Sequence, residues 1–575
     1  MQTSRTAQEQ QHTDRRFPGM QDKSHAHIGA TYNHKTMKQI RHTITVIAAL
    51  LLAAAGASAQ SKGFKLGQWT EIHSSILKEL NRSYVDSLPI DRIMRAGIDE
   101  MLENLDPYTV YIPEEENEDF QMMLSKTYGG IGAIIHKAGK EDNVTINEPY
   151  YGSPAWKAGL VCGDEIITID GVPAKGLDTK ESTDRMKGKP GTTVVFKVKK
   201  LRTGDTVDVP IVRERIHLPD VEYAGMLNDT TGYILQSGFT DNVSAAIRES
   251  YLKLKAQGMK RLVLDLRGNG GGLMNEAINI VSLFVPNGSL VVSAKGADPD
   301  SAREYRTTSE PVDTEIPLII MVDSGSASSS EIVAGAIQDL DRGTIIGKRT
   351  YGKGLVQSIR PVAYNGQLKV TTAKYYTPSG RCVQAIDYSN RNEDGSVGHI
   401  PDSLTHEFKT LKGRTVRDGG GITPDIEIDP KSYSRLVYSL VLGGIVDKYV
   451  LKYVREHDSI APLDEFHFTD RDFDDFIAFA KTQDFDYRSS AKTLFDQMKK
   501  ELEKDGLADS MSDELSALEK AIEMDKERFI RLKMDEIRPF IEEEIAVRYY
   551  YQEAGIKVRL RYDDQLRKAL EFQIQ

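Results

Sequence analysis

Five serines stand close together immediately before an apolar, helix-like run of the chain. They are Ser324, Ser326, Ser328, Ser329 and Ser330. A serine can act as a nucleophile when it is exposed at a strand end and backbone N–H groups face the developing oxyanion. The apolar run Leu318–Val322 before the serines predicts such a strand. Serine also caps helices without any chemistry, so the cluster alone leaves a nucleophile and a capping turn as alternatives.

A nucleophilic serine needs a group that takes its proton, and histidine is scarce in this region. The chain has 12 histidines, and none lies between His217 and His399. Lysine is the other established partner of a catalytic serine. Lys353 stands between Gly352 and Gly354, and glycines on both sides allow a close backbone approach. Lys353 is therefore either a surface charge or a placed base.

A lysine base has a physical requirement that can be tested. Its reference pKa is about 10.4, and lowering this to about 7.4 takes roughly 4 kcal/mol of bias against the charged form. Burial away from carboxylates supplies such a bias. If Lys353 is the base, we expect it to be desolvated and to have no ionised acid as a partner.

A glycine-rich loop offers a second candidate site. Gly268-Asn269-Gly270-Gly271-Gly272 follows the apolar strand pattern Leu262–Leu266 and precedes a helical pattern. Phosphate-binding loops occupy such positions, but the spacing is not GxGxxG and no GxxxxGK[ST] motif occurs. Small residues also suit an oxyanion hole because their N–H groups are unshielded. A nucleotide-binding enzyme remains the alternative.

The composition is that of a soluble globular protein of several domains. The chain has 575 residues, 39% hydrophobic and 28% charged, with a net charge of −11. The acidic balance argues against a general nucleic-acid binder. The two cysteines, Cys162 and Cys382, lack metal-ligand spacing. We expect two reduced thiols, no disulfide framework and no metal site.

An apolar run near the start predicts export. Basic residues precede Ile44–Ala55, and Ala57-Ser58-Ala59 follows it. This pattern is typical of a secretory signal peptide over residues 37–59, cleaved after Ala59. The alternative is a membrane anchor, although the run is shorter than the roughly 20 residues of a membrane span. Residues 1–36 are polar and unpatterned, which leaves open whether translation starts at Met37.

Changes of pattern along the chain predict several domains. After the extension and signal peptide of residues 1–59, we expect an N-terminal helical domain, a β-rich domain, an α/β core and a helical C-terminal region. In the core, buried-strand patterns alternate with helical patterns, which predicts parallel strands. The four regions span residues 60–127, 128–213, 214–430 and 431–575.

The serine and lysine segments together resemble the carboxyl-terminal processing, or tail-specific, proteases. That family shows approximately SASASEI, then AGAL-QD, and later T-FGKG-VQ. The corresponding segments here are Ser326–Ile332, Ala334–Asp339 and Thr350–Gln357. Four more segments fit the family, and all the matches span roughly residues 70–430: Leu105–Thr109 (LDPHS), Asp265–Leu273 (DLR-NPGGL), Tyr376–Arg381 and Gly421–Asp425.

The resemblance implies a ClpP/crotonase-like parallel-sheet core and a Ser-Lys dyad. Ser328, three residues before Glu331, takes the place of the nucleophile, and Lys353 takes that of the general base. Gln357 is implied to orient the lysine from about one helical turn further along. No metal or organic cofactor is implied.

The resemblance also places an oxyanion hole at the N–H groups of Ser329 and of the Gly271-Gly272 segment. Gly270 stands where the family has proline, which adds an N–H group and leaves the donor in this segment open. Ser329 replaces a usual alanine, so the assignment of the nucleophile depends on spacing.

Asp339 matches a family position that is important for activity. An acid near Lys353 would oppose the required pKa shift. We therefore expect Asp339 to be structural, capping or pairing elsewhere, for example with Arg342.

The β-rich region resembles a PDZ domain. Tyr128-Gly129-Gly130-Ile131-Gly132 is similar to its carboxylate-binding loop, and Gly163–Ile167 continues the pattern. In such a loop, successive N–H groups hold the terminal carboxylate of a peptide, while the adjacent strand edge pairs with the peptide backbone. The resemblance implies peptide binding at residues 128–132.

These expectations combine into an exported, periplasmic serine endopeptidase that cleaves proteins near their C-terminus. Its partners would be protein or peptide substrates with flexible C-terminal tails, with neither nucleic acid nor a lasting membrane contact. The alternative is a PDZ-based peptide-binding scaffold with a degenerate protease core. For residues 431–575, a homodimer or adaptor interface and a plain helical cap both remain open.

Overall fold

The structure, a computed structural model, describes residues 62–137, 141–392, 395–486, 489–522 and 525–572. The chain divides into two compact units, Met1–Arg95 and Ala96–Gln575. The predicted extension and signal peptide lie outside the described residues. Within those residues, no helix has both the length and the apolar character needed to cross a bilayer.

The N-terminal region contains the predicted helices and also one strand. Its elements are α1 (residues 62–83), α2 (Ile90–Glu103), β1 (Val110–Ile112) and α3 (Asn117–Ser125). After α2, the Asp106 carboxylate accepts hydrogen bonds from the N–H groups of Tyr108 and Thr109, each at 2.9 Å. Such a turn stops the helix and leads the chain into extended backbone. The predicted helical domain thus also contains the short strand β1, which the sequence pattern does not predict.

Residues 127–217 form the β-rich domain. Its elements are β2 (Thr127–Gly130), β3 (Ala133–His136), β4 (Val144–Pro149), α4 (Pro154–Lys157), β5 (Glu165–Ile169), β6 (Val172–Pro173), α5 (Thr179–Met186), β7 (Thr193–Lys199), β8 (Thr206–Val212) and β9 (Glu214–His217). One sheet has the order β3-β4-β5-β7-β8, and β2 pairs separately with β9. Val194, Phe196 and Val198 alternate along β7 and are fully buried, as the period of a strand requires.

Residues 221–427 form the α/β core. Its elements are β10 (Val221–Met226), β11 (Thr231–Gln236), α6 (Val243–Ala256), β12 (Arg261–Asp265), α7 (Met274–Ser282), β13 (Leu290–Gly296), β14 (Arg303–Arg306), β15 (Leu318–Val322), α8 (Ser329–Asp339), β16 (Thr344–Gly347), β17 (Leu355–Pro361), β18 (Gln367–Tyr376), β19 (Ile386–Arg391), β20 (Val397–His399), β21 (Glu407–Lys409), β22 (Thr415–Arg417) and β23 (Ile426–Glu427).

The central sheet has the order β10-β11-β12-β15-β16-β23. Strand β10 pairs antiparallel with β11, and every other neighbouring pair is parallel. This confirms the predicted parallel core. A second, antiparallel sheet has the order β1-β18-β13-β14, with β17 also on β18. The N-terminal strand β1 is thereby built into the α/β core, with Val110 opposite Lys369.

The central sheet is covered on both faces, which explains why its strands are continuous apolar runs. Helices α6, α7 and α8 cover one face, where Ile247, Val281 and Ile337 are buried against the strands. The other face carries Val263, Ile319, Met321 and Ile346, all completely buried. Residues near the C-terminus cover it, namely Ile556, Leu566 and Ala569.

Residues 435–571 are helical, as the charge and apolar pattern predicts. The helices are α9 (Arg435–Leu442), α10 (Ile445–Glu456), α11 (Asp470–Lys481), α12 (Ser490–Lys504), α13 (Ser512–Ile522), α14 (Lys526–Leu532), α15 (Met534–Arg561) and α16 (Asp564–Glu571). They have a core of their own, which includes Tyr449, Phe473, Phe476 and Ile541.

Helix α15 also contacts the β-rich domain. Gln552 donates from its backbone N–H and its side-chain amide to the buried Glu148 carboxylate, at 3.0 and 2.5 Å. Next to it, Tyr551 has φ 66° and ψ −177°, which interrupts the helix. The Tyr551 hydroxyl accepts a 2.7 Å hydrogen bond from Trp156 Nε1. The C-terminal helices thus contact both the central sheet and the β-rich domain.

Candidate active site

The serine cluster lies in the turn between β15 and α8, at the carboxyl end of a parallel strand. Three of the five hydroxyls are fixed as donors to carbonyl oxygens at 2.8 Å: Ser326 to Leu266, Ser329 to Gly272 and Ser330 to Asn269. The Ser328 hydroxyl has no acceptor within hydrogen-bond distance among the described residues. Of these four serines, Ser328 is the one whose proton is free for transfer to a base.

Ser328 is also conformationally distinct. Its φ of 56° lies in the left-handed region, which is unfavourable for a residue with a Cβ atom. Strain of this kind persists only where the surrounding structure imposes it, and it is concentrated at functional sites. The turn holds Ser328 at the start of α8, with Gly271 directly against it. A Cβ on Gly271 would lie 2.7 Å from Ser328 Cβ.

Glu331 connects the serine segment to the lysine segment. Its fully buried carboxylate accepts four hydrogen bonds: from Ser328 N–H (2.9 Å), Lys353 N–H (2.8 Å), Gly352 N–H (2.7 Å) and Thr350 Oγ1 (2.6 Å). Burial raises the pKa of Glu331, while these four donors favour its ionised form. One side chain therefore fixes the backbone of both predicted dyad residues. Sequence reasoning used Glu331 only as a position marker, although the S-x-x-E spacing of Ser328 and Glu331 is that of a capping box.

Lys353 lies in a half-buried niche. Burial lowers the pKa of its ammonium to about 8, and the charge of Lys369 lowers it further, against the opposing effects of Glu331 and Asp106. Its Nζ lies 4.3 Å from the centroid of the Tyr108 ring. Within the described part of the chain, no carboxylate forms an ion pair with Lys353. The niche has the two properties that a lysine base requires.

The flanking glycines allow the close approach that the sequence predicts. Gly352 has φ +86°, and a Cβ there would lie 2.4 Å from Ala385 Cβ. A Cβ on Gly354 would lie 2.7 Å from the backbone nitrogen of Gln384. The loop that carries Lys353 is therefore fixed against residues 384 and 385.

The glycine-rich loop faces the start of α8. The N–H groups of Ser329 and Gly272 have no acceptor among the described residues, whereas Gly271 N–H donates to Asn269 Oδ1 at 2.9 Å. Two of the three predicted oxyanion donors are thus unengaged in this conformation. The loop's carbonyl groups are hydrogen-bonded to serine hydroxyls, and its glycines lie against Ser328. This contact favours an oxyanion hole over a phosphate site.

Gln357 and Asp339 differ in detail from expectation. Gln357 lies on strand β17, so its predicted placement one helical turn from Lys353 is wrong; its side chain donates to Thr371 Oγ1 at 3.2 Å. Asp339 pairs away from Lys353, as expected, but its partner is Arg381 at 2.8 Å and not Arg342. Arg342 donates to backbone carbonyls instead.

The predicted peptide-binding residues Tyr128, Gly129, Gly130, Ile131 and Gly132 form β2 and the turn into β3. The N–H groups of Ile131 and Gly132 have no acceptor within the described residues. Strand β3 lies at the edge of its sheet, so one side of it has no strand partner among the described strands. An edge strand beside two unengaged N–H groups is the arrangement that captures a peptide C-terminus.

Both cysteines are free. Burial raises the pKa of the Cys162 thiol to about 12, and a protonated thiol is unreactive. Among the residues that the structure describes, no group of three His, Cys, Asp or Glu side chains could hold a metal ion.

An α/β core with a serine cluster at the end of a parallel strand, together with an attached β-rich domain, matches the architecture of a class of serine peptidase. The profile of peptidase family S41 matches residues 230–389, that of a PDZ domain matches 145–200, and "Probable PDZ-protease, C-terminal helical domain" matches 436–572. The chain is 35% identical over 387 residues to the carboxy-terminal-processing protease of Bartonella bacilliformis, a match that covers 64% of this chain and 87% of that protein. It therefore belongs to the family of carboxy-terminal-processing proteases and is a serine-type peptidase with a PDZ domain.

Other similar proteins have related names. A probable CtpA-like serine protease of Staphylococcus aureus is 32% identical over 364 residues, which cover 63% of this chain and 65% of that protein. Among solved structures, the photosystem II D1 C-terminal processing protease has 27% identity and a TM-score of 0.33, over 61% of this chain and 86% of its own. The peptide-bound PDZ domain of the carboxy-terminal protease from Vibrio cholerae has 28% identity and a TM-score of 0.15, over 16% of this chain and 99% of its own.

Proposed function

We propose that this protein is an exported endopeptidase that cleaves proteins near their C-terminus with a Ser328-Lys353 dyad. One observation carries the proposal most directly. The desolvated Lys353, whose pKa is lowered to about 8, is held by the same Glu331 carboxylate that holds the strained Ser328. At that pKa, roughly a tenth of the lysine is neutral at pH 7, and a neutral amine can accept the serine proton.

The proposed reaction proceeds through an acyl-enzyme. Ser328 Oγ attacks the scissile carbonyl carbon while Lys353 Nζ takes the hydroxyl proton. The oxyanion accepts hydrogen bonds from Ser329 N–H and Gly272 N–H, which are unengaged in the structure. The C–N bond then breaks, and the Lys353 ammonium protonates the leaving amine. Water attacks the ester in the second half, with Lys353 again as the base.

Gln357 is proposed to act on the lysine niche from β17. Its amide reaches Thr371, whose hydroxyl donates to Asp106 at 3.2 Å. Asp106 is one of the charges that act on Lys353. Through this chain of hydrogen bonds, Gln357 would influence Lys353 by positioning Asp106, without contacting the lysine directly.

The PDZ domain is proposed to bind the C-terminal tail of the substrate. The tail carboxylate would accept from the N–H groups of Ile131 and Gly132, and the peptide would extend along the edge of β3. Tyr128, Gly129 and Gly130 form the base of this turn. The turn requires glycine at position 129, because a Cβ there would lie 2.1 Å from the carbonyl oxygen of Gly188.

The decisive experiment compares Ser328→Ala and Lys353→Ala with the wild type on an unfolded substrate that carries a flexible tail. Both variants should lose cleavage by at least about a thousandfold while keeping the melting profile of a folded protein. Full cleavage by both variants would disprove the dyad. A wild type that binds tail peptides but cleaves nothing would support the scaffold alternative.

Export and assembly need separate measurements. N-terminal sequencing of the mature protein from the periplasm should begin at Gln60 if the signal is cleaved after Ala59.

A homodimer or adaptor contact through the C-terminal helices remains a prediction, and light scattering on the full chain would measure the homodimer directly.

A further inference from the structure

The C-terminal helical region contributes a carboxylate to the base of the glycine-rich loop Gly268–Gly272, which is called the oxyanion loop below. Arg267 stands directly before Gly268, the first residue of that loop. Its guanidinium donates to Asp265, at the end of β12, at 3.0 and 2.5 Å. The same group donates to Asp563, the residue that precedes α16, at 2.5 and 3.3 Å, and to Gln565 Oε1 at 3.0 Å. Arg267 is therefore held by a residue close to it in sequence and by Asp563, 296 residues further along the chain.

This cluster is mostly buried. The exposed fractions of the side chains are 1% for Asp265, 17% for Arg267 and 13% for Asp563. Burial disfavours the charge of Arg267, but the two carboxylates outweigh it and raise the pKa of Arg267. A buried pair of this kind is disrupted strongly when one partner is removed, because a charge is left uncompensated.

The backbone joins the cluster directly to the loop, and hydrogen bonds tie the first loop residues to the ends of β11 and β15. After Arg267, Gly268 N–H donates to Asp323 Oδ1 at 2.8 Å, and the Asn269 amide donates to the Gln236 carbonyl at 2.9 Å. Two residues later, Gly271 and Gly272 lie against Ser328 and Phe239. A shift of Arg267 would therefore be transmitted to the N–H group of Gly272.

We propose that Asp563 is a positioning residue for catalysis: through Arg267, it holds the oxyanion loop in register with Ser328. The C-terminal helical region then has a part in the reaction rate and not only in stability. This inference rests on the oxyanion role proposed for Gly272 and Ser329. A displacement of about 1 Å in such a group lowers a rate by about a hundredfold, so a partial displacement predicts a loss of about tenfold or more.

The test uses Asp563→Asn in the full chain. Asp563 Oδ1 also accepts from Leu566 N–H at 2.8 Å as the cap of α16, and asparagine caps helices as well as aspartate does. The substitution therefore keeps the cap and the volume and removes the negative charge that pairs with Arg267. Asp564→Asn is the matched control, because Asp564 is the neighbouring residue and pairs with Arg567 at the surface.

The rates are measured on fluorescein-labelled, denatured casein, with each variant assayed about 20 °C below its own melting temperature. We expect Asp563→Asn to lower kcat by about tenfold or more with KM within twofold, and Asp564→Asn to behave as the wild type. Asp563→Glu, which restores a carboxylate, should recover part of the loss. A kcat of Asp563→Asn within twofold of the wild type would overturn the proposal.

A double-mutant cycle with Arg267→Gln distinguishes positioning from a general loss of stability. If Asp563 acts through Arg267, the double variant should be no slower than Arg267→Gln alone. Losses that multiply would overturn the proposed route. Ser328→Ala serves as the separate control: if it stays active, the dyad itself is wrong, whatever Asp563→Asn shows.

Discussion

The Nζ atom of Lys353 lies 4.3 Å above the ring of Tyr108. Tyr108 belongs to the turn between α2 and β1, which precedes the PDZ domain in the chain, and its hydroxyl accepts a 3.4 Å hydrogen bond from Tyr388. The wall of the lysine niche is therefore built by a segment far from the lysine in sequence. Because burial is the main cause of the lowered pKa, this ring contributes to the environment that the proposed base Lys353 requires.

Replacing Tyr108 with alanine should move the pH dependence of the protease. The ring both shields Lys353 from water, which lowers its pKa, and attracts its positive charge, which raises it. Burial is the largest cause of the lowered Lys353 pKa, so we expect the loss of shielding to prevail. We expect kcat/KM of the wild type to rise with pH around the Lys353 pKa of about 8, and this rise should move to higher pH by about one unit or more in Tyr108→Ala. A pH–rate series measures this, and Tyr108→Phe, which keeps the ring, should follow the wild type. An unchanged profile in Tyr108→Ala would show that the ring does not control the base.

Replacing Lys353 with methionine should abolish activity and increase stability. The pKa of Lys353 is about 8 in the folded protein and about 10.4 in the unfolded chain. Below pH 8 the folded state must hold a disfavoured ammonium, which costs on the order of 3 kcal/mol. This cost disappears as the pH rises to about 10.4, because the unfolded chain binds more protons in that window.

Calorimetry at two pH values checks this expectation. Lys353→Met should melt above the wild type at pH 7, and the difference should shrink at pH 10. A difference of the same size at both values would mean that the ammonium is not desolvated.

Replacing Glu331 with glutamine should disrupt both dyad residues at once. The Glu331 carboxylate accepts four hydrogen bonds, whereas a glutamine presents an NH2 group to two of those donors. Unsatisfied buried donors cost about 1–3 kcal/mol each, and both segments would shift. We expect kcat to fall by about a hundredfold or more, together with a lower melting temperature.

Glu427→Gln provides the matched control for that change. Glu427 is an exposed acid that pairs with Lys348 at 2.8 Å. The activity and the melting temperature of the Glu427→Gln variant should therefore stay close to those of the wild type. An active Glu331→Gln protein would mean that the dyad does not depend on this shared carboxylate.

Peptide binding should depend on a free C-terminal carboxylate. Two peptides of identical sequence, one ending in a carboxylate and one in an amide, are compared by fluorescence anisotropy on the Ser328→Ala protein, which cannot cleave them. The amide has no charge for the N–H groups of Ile131 and Gly132 to hold, so we expect it to bind at least about tenfold more weakly. Equal affinities would place tail recognition elsewhere.

Local sequence patterns predict the parts of this fold that depend on neighbouring residues. The apolar runs of β12 and β15 predict a parallel sheet, which the structure confirms. The small residues that follow both strands lie at its carboxyl edge, where the site is proposed. Gln357 shows the limit of this reasoning, because its spacing of four residues from Lys353 fits a helical turn while the chain there is a strand. The β1 strand was missed for a related reason: its partner is β18, and no local periodicity encodes that pairing.

The site contacts that sequence reasoning missed are those between distant segments. Two examples are the contact of Tyr108 with Lys353 and that of Asp563 with Arg267. In each pair, the sequence around one residue does not indicate that the other is its partner. Glu331 is different, because its spacing from Ser328 is a recognisable capping pattern. Its contact with the lysine loop, however, depends on how two crossover connections pack in three dimensions.

The helices at the end of the chain close one side of the central sheet, and this has a consequence for how the protein could be shortened. An enzyme that stopped before the helical domain begins at residue 436 would leave Val263, Ile319, Met321 and Ile346 facing water, as a flat apolar surface prone to aggregation. The peptidase and C-terminal helical regions match separate sequence families, but in the folded protein they share one hydrophobic core. A different C-terminal region could replace these helices only if it covered the same four side chains with an apolar surface.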